Sequence, residues 1–192
     1  MRSQQSRTIL ALASLLAMLM VSASTVPASA APRRHESMER LSLRLVNCLR
    51  TGGRITPKGS CKGYGSGRFS KYRAPLKRSR RISDNVSWQW ARRTAVKNIC
   101  GHTLAGSTVD QRFRQAGLRH RDNGENIGCG NSWATRRMVI QVHRWWQAER
   151  SYNGWHWRQV KDRDFKAVGI AVARHGSGRS RVVVNFYGRR VR

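Results

Sequence analysis

Two histidines and two glutamates, His102, Glu125, Glu149 and His156, are the side chains of this sequence best suited to chemistry. Successive members are separated by 23, 24 and 7 residues, so no local motif joins them and only the fold can bring them together. An imidazole and a carboxylate that meet at the ends of neighbouring elements can bind a divalent metal ion or transfer protons. These four residues are therefore the candidate functional set.

The local motifs of several enzyme classes are absent from the sequence. It contains neither the H-E-x-x-H zinc motif nor the G-x-S-x-G motif of a serine nucleophile. For each candidate there is also a purely structural interpretation, because a histidine beside tryptophan is usually packed and a glutamate at a helix end is usually solvated. The remaining histidines show no pairing pattern and are predicted to lie on the surface: His35, His120, His143 and His175.

The chain is strongly basic, with 38 Lys and Arg against 9 Asp and Glu and a formal net charge of +29. Such a charge attracts anionic polymers and surfaces, although it also keeps an exported protein soluble. The basic residues are scattered, with one denser run at residues 77–81, and no interleaved aromatic residues suggest stacking on single strands. We therefore expect an anionic polymer, a lipid or a cell-envelope component as partner, without sequence-specific recognition of nucleic acid.

The first thirty residues have the organisation of a secretory signal peptide. Arg2 and Arg7 precede an apolar run at Ile9–Val21 that is too short to span a bilayer comfortably, and Ala28-Ser29-Ala30 is an A-x-A cleavage pattern. Cleavage after this pattern would remove the two arginines and lower the charge from +29 to +27. An uncleaved anchor is the alternative. No later stretch is apolar enough to cross a membrane, so we expect a secreted, extracellular protein that begins at Ala31.

All four cysteines lie beyond the signal peptide, which favours two disulfide bonds in an exported protein. Four cysteines allow three pairings. Cys48–Cys61 is favoured because the loop between them is rich in Gly, Pro and Ser, and Cys100–Cys129 then follows by default. A structural zinc site is the alternative, but no C-x-x-C pair is present.

Periodic apolar residues predict four helices, which span about residues 37–49, 83–99, 107–117 and 133–150, the last beginning at Trp133 or Ala134. The buried stripe of the second predicted helix comprises Trp88, Ala91, Ala95 and Ile99. The apolar face of the fourth comprises Met138, Val142 and Trp145 and continues to Glu149.

Two Val-rich runs, Ala167–Ala173 and Arg181–Tyr187, predict a C-terminal β-hairpin because a glycine-containing turn joins them. A further strand is predicted near residues 124–127. The Gly-rich segment Thr51–Ala74 interrupts every periodicity and is predicted to be a loop. Helices and strands in this order indicate the α+β class.

Five segments, in chain order, resemble the CAP superfamily of cysteine-rich secretory proteins, insect venom antigens and plant pathogenesis-related proteins. The first segment comprises His102-Thr103, Gly106-Ser107-Thr108 and Arg114-Gln115-Ala116-Gly117. The others are Gly124-Glu125-Asn126-Ile127, Trp146–Glu149 with Tyr152, residues 165–173 and residues 183–188. Their occurrence in the family's order, in an exported disulfide protein, makes the resemblance strong.

The resemblance implies an α-β-α sandwich of the CAP type with a C-terminal β-hairpin. Its core would cover residues 76–192, preceded by an N-terminal helix and the Gly-rich disulfide loop at 31–75 and by the signal peptide at 1–30. The resemblance also implies a surface cleft lined by the candidate set, with His102 and His156 as ligands of a divalent metal ion such as zinc. Trp155 and Trp157 flank His156, so we expect a narrow or apolar cleft.

The expected function is that of a secreted, monomeric, non-enzymatic binding protein with a metal-capable His/Glu cleft. One alternative is a metal-dependent hydrolase with Glu125 or Glu149 as general base. Another is a binder of anionic cell-wall polymer or nucleic acid that depends on charge alone. Family members have been linked to divalent metal, to sterol or lipid, and in a few cases to proteolysis, and a shared fold does not decide between such functions.

Overall fold

A computed structural model describes residues 31–119, 121–131 and 135–191. The predicted signal peptide, His120 and the predicted start of the long helix at Trp133 or Ala134 lie outside these residues. Within the described part of the chain, no helix has the length and apolar character needed to cross a membrane.

A five-stranded sheet forms the centre of the protein. Its strands are β1 (Arg33–Arg34), β4 (Lys77–Arg78), β5 (Asn123–Gly130), β6 (Ala167–Arg174) and β7 (Ser180–Tyr187). β6 and β7 form the predicted C-terminal hairpin, and β5 pairs antiparallel with the other side of β7. β1 and β4 each pair with β6 over two residues. β5 is consequently the edge strand on its side of the sheet.

Helices cover both faces of this sheet. One layer contains α1 (Glu36–Arg50), α5 (Thr135–Ala148) and α6 (Trp155–Lys161). The other contains α2 (Arg80–Ile82), a π-helical turn (Ser83–Ser87), α3 (Trp88–Lys97) and α4 (Val109–Gln115). Alternate residues of β6 pack against opposite layers, with Ile170 on the α1 side and Ala171 on the α3 side. A strand that is covered on both faces needs apolar residues throughout, which explains the continuous apolar run, and the α-β-α sandwich of the α+β class is confirmed.

Both predicted disulfide bonds, Cys48–Cys61 and Cys100–Cys129, are present. The first joins α1 to a small ribbon formed by β2 (Arg54–Ile55) and β3 (Cys61–Lys62), which lies inside the segment predicted to be a loop. The Lys161 ammonium donates hydrogen bonds to the carbonyl oxygens of Leu49 and Arg50 at the end of α1 and of Lys71 near the end of the segment. The Gly-rich segment is thus tied to α1 by a disulfide bond at its middle and by a lysine near its end.

The buried face of the second predicted helix differs from the prediction. α3 ends at Asn98, whose φ of 53° is left-handed, so Ile99 lies beyond the helix and is only half-buried. Trp90 is the fully buried tryptophan, with its indole N–H donating to the Gly101 carbonyl oxygen at 3.1 Å, whereas Trp88 is half-buried against the same cluster. Ala91 and Ala95 are buried as predicted.

The apolar face of α5 contains Met138 and Val142 as predicted, but His143 and Trp146 complete it in place of Trp145. The surface prediction for His143 is therefore wrong. Trp145 is 48% exposed, whereas Trp146 is 3% exposed. His143 is fully buried: its Nδ1–H donates to the Val139 carbonyl oxygen at 2.8 Å, and its Nε2 accepts a hydrogen bond from the Ser42 hydroxyl at 3.0 Å. Both ring nitrogens are satisfied, so the imidazole can occupy a core position.

The surface prediction is also wrong for His175, which is 5% exposed in the turn between β6 and β7. Its Nδ1 lies 2.8 Å from the Ser177 hydroxyl, a local contact that periodicity does not reveal. His35, just before α1, is half-buried.

His143 makes the protein sensitive to acid. Burial lowers the pKa of His143 from 6.5 to about 4, and the hydrogen bond to Val139 opposes this shift only in part. Between these two values the unfolded chain binds more protons than the folded one, so the free energy of unfolding falls as the pH falls through this window. At about pH 4.5 the expected loss from this residue is about 2–3 kcal/mol.

Urea unfolding at about pH 7 and pH 4.5 measures this loss. The double variant Ser42→Ala/His143→Phe removes the titrating ring together with its hydrogen-bond partner, so it should lose less stability over the same interval than the unmodified protein. An equal loss in both proteins would contradict the assignment to His143.

Candidate functional site

Glu125, on β5, has a fully buried side chain. Its carboxylate accepts hydrogen bonds from His102 Nδ1 at 2.9 Å, Arg112 Nη2 at 2.8 Å and Asn185 Nδ2 at 3.0 Å. A carboxylate can be buried only where donors and an opposite charge replace water. Arg112 supplies that charge.

Arg112, on α4, connects Glu125 to the segment that carries His102. Its Nη1 donates to the carbonyl oxygens of His102 at 3.0 Å and Ser107 at 3.3 Å. The guanidinium also lies 3.7 Å from the centre of the Trp90 ring. Burial lowers the pKa of Arg112, while the charge of Glu125 and its hydrogen bond oppose that shift. The arginine is therefore held by the carboxylate, by two carbonyls and by an aromatic face.

Local sequence features fix this segment at both ends. The Cys100–Cys129 disulfide ties the chain two residues before His102 to β5, the strand of Glu125. After His102, Thr108 and Gln111 form a capping box at the start of α4, which orients the helix that carries Arg112. His102 thus lies on a short segment between two anchors.

Glu149 holds His156 by capping α6. Its Oε1 accepts a hydrogen bond from His156 Nδ1 at 2.5 Å, and its Oε2 accepts the backbone N–H groups of His156 at 2.9 Å and Trp157 at 3.3 Å. Such first-turn N–H groups have no partner within the helix. Gly154 permits the approach, since a Cβ at this position would lie 2.7 Å from Oε2.

The region around Glu149 differs in detail from the sequence prediction. The helix expected to end near Arg150 ends at Ala148 and is followed by a 3₁₀ turn at Glu149–Tyr152. His156 lies in the first turn of α6 and not in a connecting segment. α6 has only seven residues, too few for a periodic pattern to stand out in the sequence.

A cavity of about 310 Å³ lies beside the edge strand β5, and both His102 and His156 line it. Consecutive residues of β5 hold the two histidine segments, because side chains alternate between the faces of a strand. Glu125 accepts from the His102 ring, and Asn126 donates to the His156 carbonyl oxygen at 3.0 Å. The cleft therefore spans the edge of the sheet and receives one imidazole from each helical layer.

The two imidazoles are fixed in the same way. A carboxylate can only accept, so Nδ1–H is the donor in both His–Glu pairs, and this tautomer leaves a lone pair on Nε2. The side chain of His102 is 46% exposed and that of His156 is 31% exposed. A carboxylate bound to one ring nitrogen is the usual support for a histidine that ligates a metal through the other.

The cleft offers two imidazoles, fewer protein ligands than a zinc site normally has. Among the described residues, no group of three or more His, Cys, Asp and Glu side chains could hold a metal ion. An ion held by these two nitrogens alone would have to complete its coordination with water or with oxygen atoms of a bound molecule.

Buried polar atoms without a protein partner concentrate around this cleft. In the described part of the chain they are Arg112 Nε, Asn126 Oδ1, Gln159 Oε1 and Asn185 Oδ1. Asn126 and Gln159 line the cavity, and the other two residues hold Glu125. Buried polar atoms normally have hydrogen-bond partners. Asn126 and Gln159 thus keep unused acceptors at the wall of the cavity, on oxygen atoms that are themselves buried.

The four residues singled out from the sequence lie in one region. His102, Glu125 and His156 line the cavity, and Glu149 supports His156 from behind. The sequence did not point to the residues that hold these four, which are Arg112, Asn126 and Asn185, or to Gln159, which lines the cavity beside them. Asn126 and Asn185 belong to segments that carried the family resemblance, so a signal existed for them. Arg112 is one of many arginines, and nothing in its sequence context distinguishes it.

A profile of the CAP family, described as the Cysteine-rich secretory protein family, matches residues 43–186. The chain belongs to this family. The match begins within α1 and ends within β7, so it includes the Gly-rich segment and all four candidate residues.

The CAP-family fold is also found in solved structures. An outer surface protein from Borrelia burgdorferi matches with a TM-score of 0.63 and 15% identity, over 84% of this chain and 99% of that one. NaASP2, whose structure is described with Zn²⁺, matches with a TM-score of 0.51 and 15% identity, over 80% of each chain. At such identities the likeness concerns the fold alone. No curated protein matches the sequence significantly.

Replacement of Arg112 should destabilise this CAP domain strongly. Arg112→Met leaves the Glu125 carboxylate buried without its opposite charge, so the free energy of unfolding should fall by about 3–5 kcal/mol. Denaturant unfolding of the variant measures this loss.

Arg114→Met is the matched control, because Arg114 is exposed on the same helix and pairs with Asp110 at 2.8 Å. Its loss should stay below about 1 kcal/mol. Adding Glu125→Gln to Arg112→Met should recover part of the stability, since the uncompensated charge is then removed. Equal losses for the two single variants would show that Glu125 does not depend on Arg112.

Proposed function

We propose that this CAP-family protein is an extracellular binding protein whose cleft holds a divalent metal ion, zinc in the first instance, between His102 and His156. One observation carries the proposal: two imidazoles line the same cavity, and a glutamate fixes each of them at Nδ1 so that Nε2 remains available. A bound ion would supply a positive centre for an oxygen atom of the ligand.

The same cavity offers groups that would orient a ligand. The unpaired oxygens of Asn126 and Gln159 are buried at the cavity wall, and they would accept hydrogen bonds from hydroxyl or amine groups on turning toward the ligand. Trp155 also lines the cavity and is 69% exposed, with the Arg158 guanidinium 4.0 Å from its ring centre. A polar ligand with an apolar face, such as a sugar ring, would match an indole beside hydrogen-bond acceptors.

The burial and the hydrogen bonds of Glu125 and Glu149 favour a binding function over hydrolysis. A general base has to reach the proton that it removes. Glu125 is fully buried and already accepts from three side chains, and Glu149 accepts from an imidazole and from two backbone N–H groups of α6. Both glutamates therefore act as supports of histidine, which disfavours the hydrolase alternative.

Export is supported by three features of the chain: the predicted signal peptide, two disulfide bonds and membership of a family of secretory proteins. We expect the exported protein to begin at Ala31. N-terminal sequencing of material recovered from outside the cell checks this, and a sequence that starts at Met1 would contradict cleavage.

Zinc titration by calorimetry tests the metal site. The protein should bind one ion, and the double variant His102→Ala/His156→Ala should bind none at that site, because both nitrogen ligands are lost. Binding should also weaken on acidification, since a protonated imidazole cannot ligate a metal.

His35→Ala is the control for removal of a histidine, because His35 lies before α1 and outside the cleft. Glu149→Gln, which removes the charge that supports His156, should weaken zinc binding by about 10–100-fold. Zinc binding that survives in the double variant with unchanged affinity would overturn the proposal, provided that circular dichroism shows an intact fold.

A further inference from the structure

A second cavity, of about 260 Å³, has walls that are dominated by positive charge. It lies between the end of the Gly-rich segment, at residues 72–77, and the segment before β6, at residues 163–166. Six of its ten lining residues are cationic: Arg50, Arg73, Lys77, Arg163, Lys166 and Arg190. We call these six residues the basic pocket. It shares no lining residue with the histidine cleft.

The wall of the pocket contains a buried guanidinium that makes no ion pair with a carboxylate of the described residues. Arg50 is 1% exposed, and its hydrogen bonds go to the carbonyl oxygens of Ala74, Val160, Asp162 and Phe165. Burial, together with the nearby charge of Arg73, lowers the pKa of Arg50 to about 10, although the charge of Asp162 opposes the shift. Carbonyl dipoles satisfy the donors of this cation but leave its charge without a counter-ion in contact.

The ammonium group of Lys161 lies in the same cationic surroundings as Arg50. Lys161 lies next to Arg50 and donates to its carbonyl oxygen at 2.9 Å. Burial, followed by the charges of Arg50, Arg73 and Arg150, lowers the pKa of Lys161 to about 8. Burial is thus the main cause that disfavours the charged forms of both groups, and neighbouring cations add to it.

Two aspartates lie near the pocket and compensate little of its charge. Asp164 is 3.7 Å from Arg163, and both side chains are mostly exposed. Asp162 accepts the backbone N–H of Asp164 at 2.8 Å. Even with both aspartates included, cations outnumber anions by three to one.

We propose that the basic pocket binds a phosphoryl group. Several cations around one small cavity suit a compact anion with more than one negative charge, because a single carboxylate would leave most of the positive charge unneutralised. A phosphoryl group also accepts hydrogen bonds through several oxygens, which matches guanidinium and ammonium donors from different sides.

The donors needed for such a ligand are on the surface. The side chains of Lys77 and Arg190 are exposed at the pocket, and Arg73 uses only its Nε, which donates to the Lys161 carbonyl oxygen at 3.1 Å. Tyr72, 49% exposed, adds a hydroxyl at the same rim. The pocket therefore combines a buried charge with exposed cationic side chains above it.

Calorimetric titration with inorganic tripolyphosphate, and co-sedimentation with phosphatidylglycerol vesicles, distinguish free phosphate from a lipid headgroup as the source. The test variant is Lys77→Ala/Arg190→Ala, which removes two exposed cations of the pocket. The matched control is Lys62→Ala/Arg44→Ala, which removes one lysine and one arginine that are exposed elsewhere. Both variants carry the same net charge, so any difference between them reflects position.

Affinity for at least one probe should fall about tenfold or more in the pocket variant, because two charge-assisted contacts are lost. The control should lose less than about threefold at the same ionic strength. A loss confined to tripolyphosphate would assign a free phosphate ligand, and a loss confined to vesicles would assign a headgroup. Equal losses in the two variants, or no binding of either probe by the unmodified protein, would overturn the proposal. The histidine double variant His102→Ala/His156→Ala should bind both probes normally, which separates this site from the metal cleft.

Discussion

A carboxylate buried beside the edge of a sheet has to be neutralised by groups that the same fold delivers to it. Glu125 meets this condition through Arg112, which comes from α4 with an orientation set by a capping box and by the Trp90 ring. The same arginine holds the His102 carbonyl, and the same carboxylate holds the His102 ring. The contacts that compensate the charge of Glu125 therefore also position His102. This side of the cleft follows from the need to neutralise a buried carboxylate on the edge strand β5.

The second histidine is placed by a different physical requirement. The first turn of α6 exposes backbone N–H groups that need an acceptor, and Gly154 before the helix has no side chain to provide one. Glu149 supplies the acceptor from the preceding turn and uses its other oxygen for His156. One cleft thus combines a buried ion pair and a helix cap, and both leave an imidazole with the same free nitrogen. Removal of either glutamate carboxylate would therefore remove a negative charge and also release the histidine ring that the carboxylate orients.

The sequence was sufficient for the parts of this structure that depend on local pattern. The terminal strands, the disulfide pairing and the four candidate residues follow from apolar runs, loop composition and ordered motifs. It was insufficient where a residue's role depends on a distant partner. His143 looks like a surface residue in the sequence, but Ser42, 101 positions away, satisfies its ring in the core. Periodicity likewise did not separate the exposed Trp145 from the buried Trp146. Arg112 likewise acquires its role only when the fold brings Glu125 next to it.

The distribution of charge shows the same dependence on distant contacts. Basic residues that look scattered along the chain converge where the Gly-rich segment returns to the core, because Arg50 and Lys161 satisfy the carbonyls of that segment. Both cations are desolvated there, and burial disfavours their charged forms. An anion bound in the basic pocket would lower the free-energy cost of keeping the buried Arg50 charged. Since Arg50 also holds Ala74, a phosphoryl ligand would stabilise the end of the Gly-rich segment at the same time. The segment that lacks periodicity in the sequence would then owe part of its order to the ligand that it helps to bind.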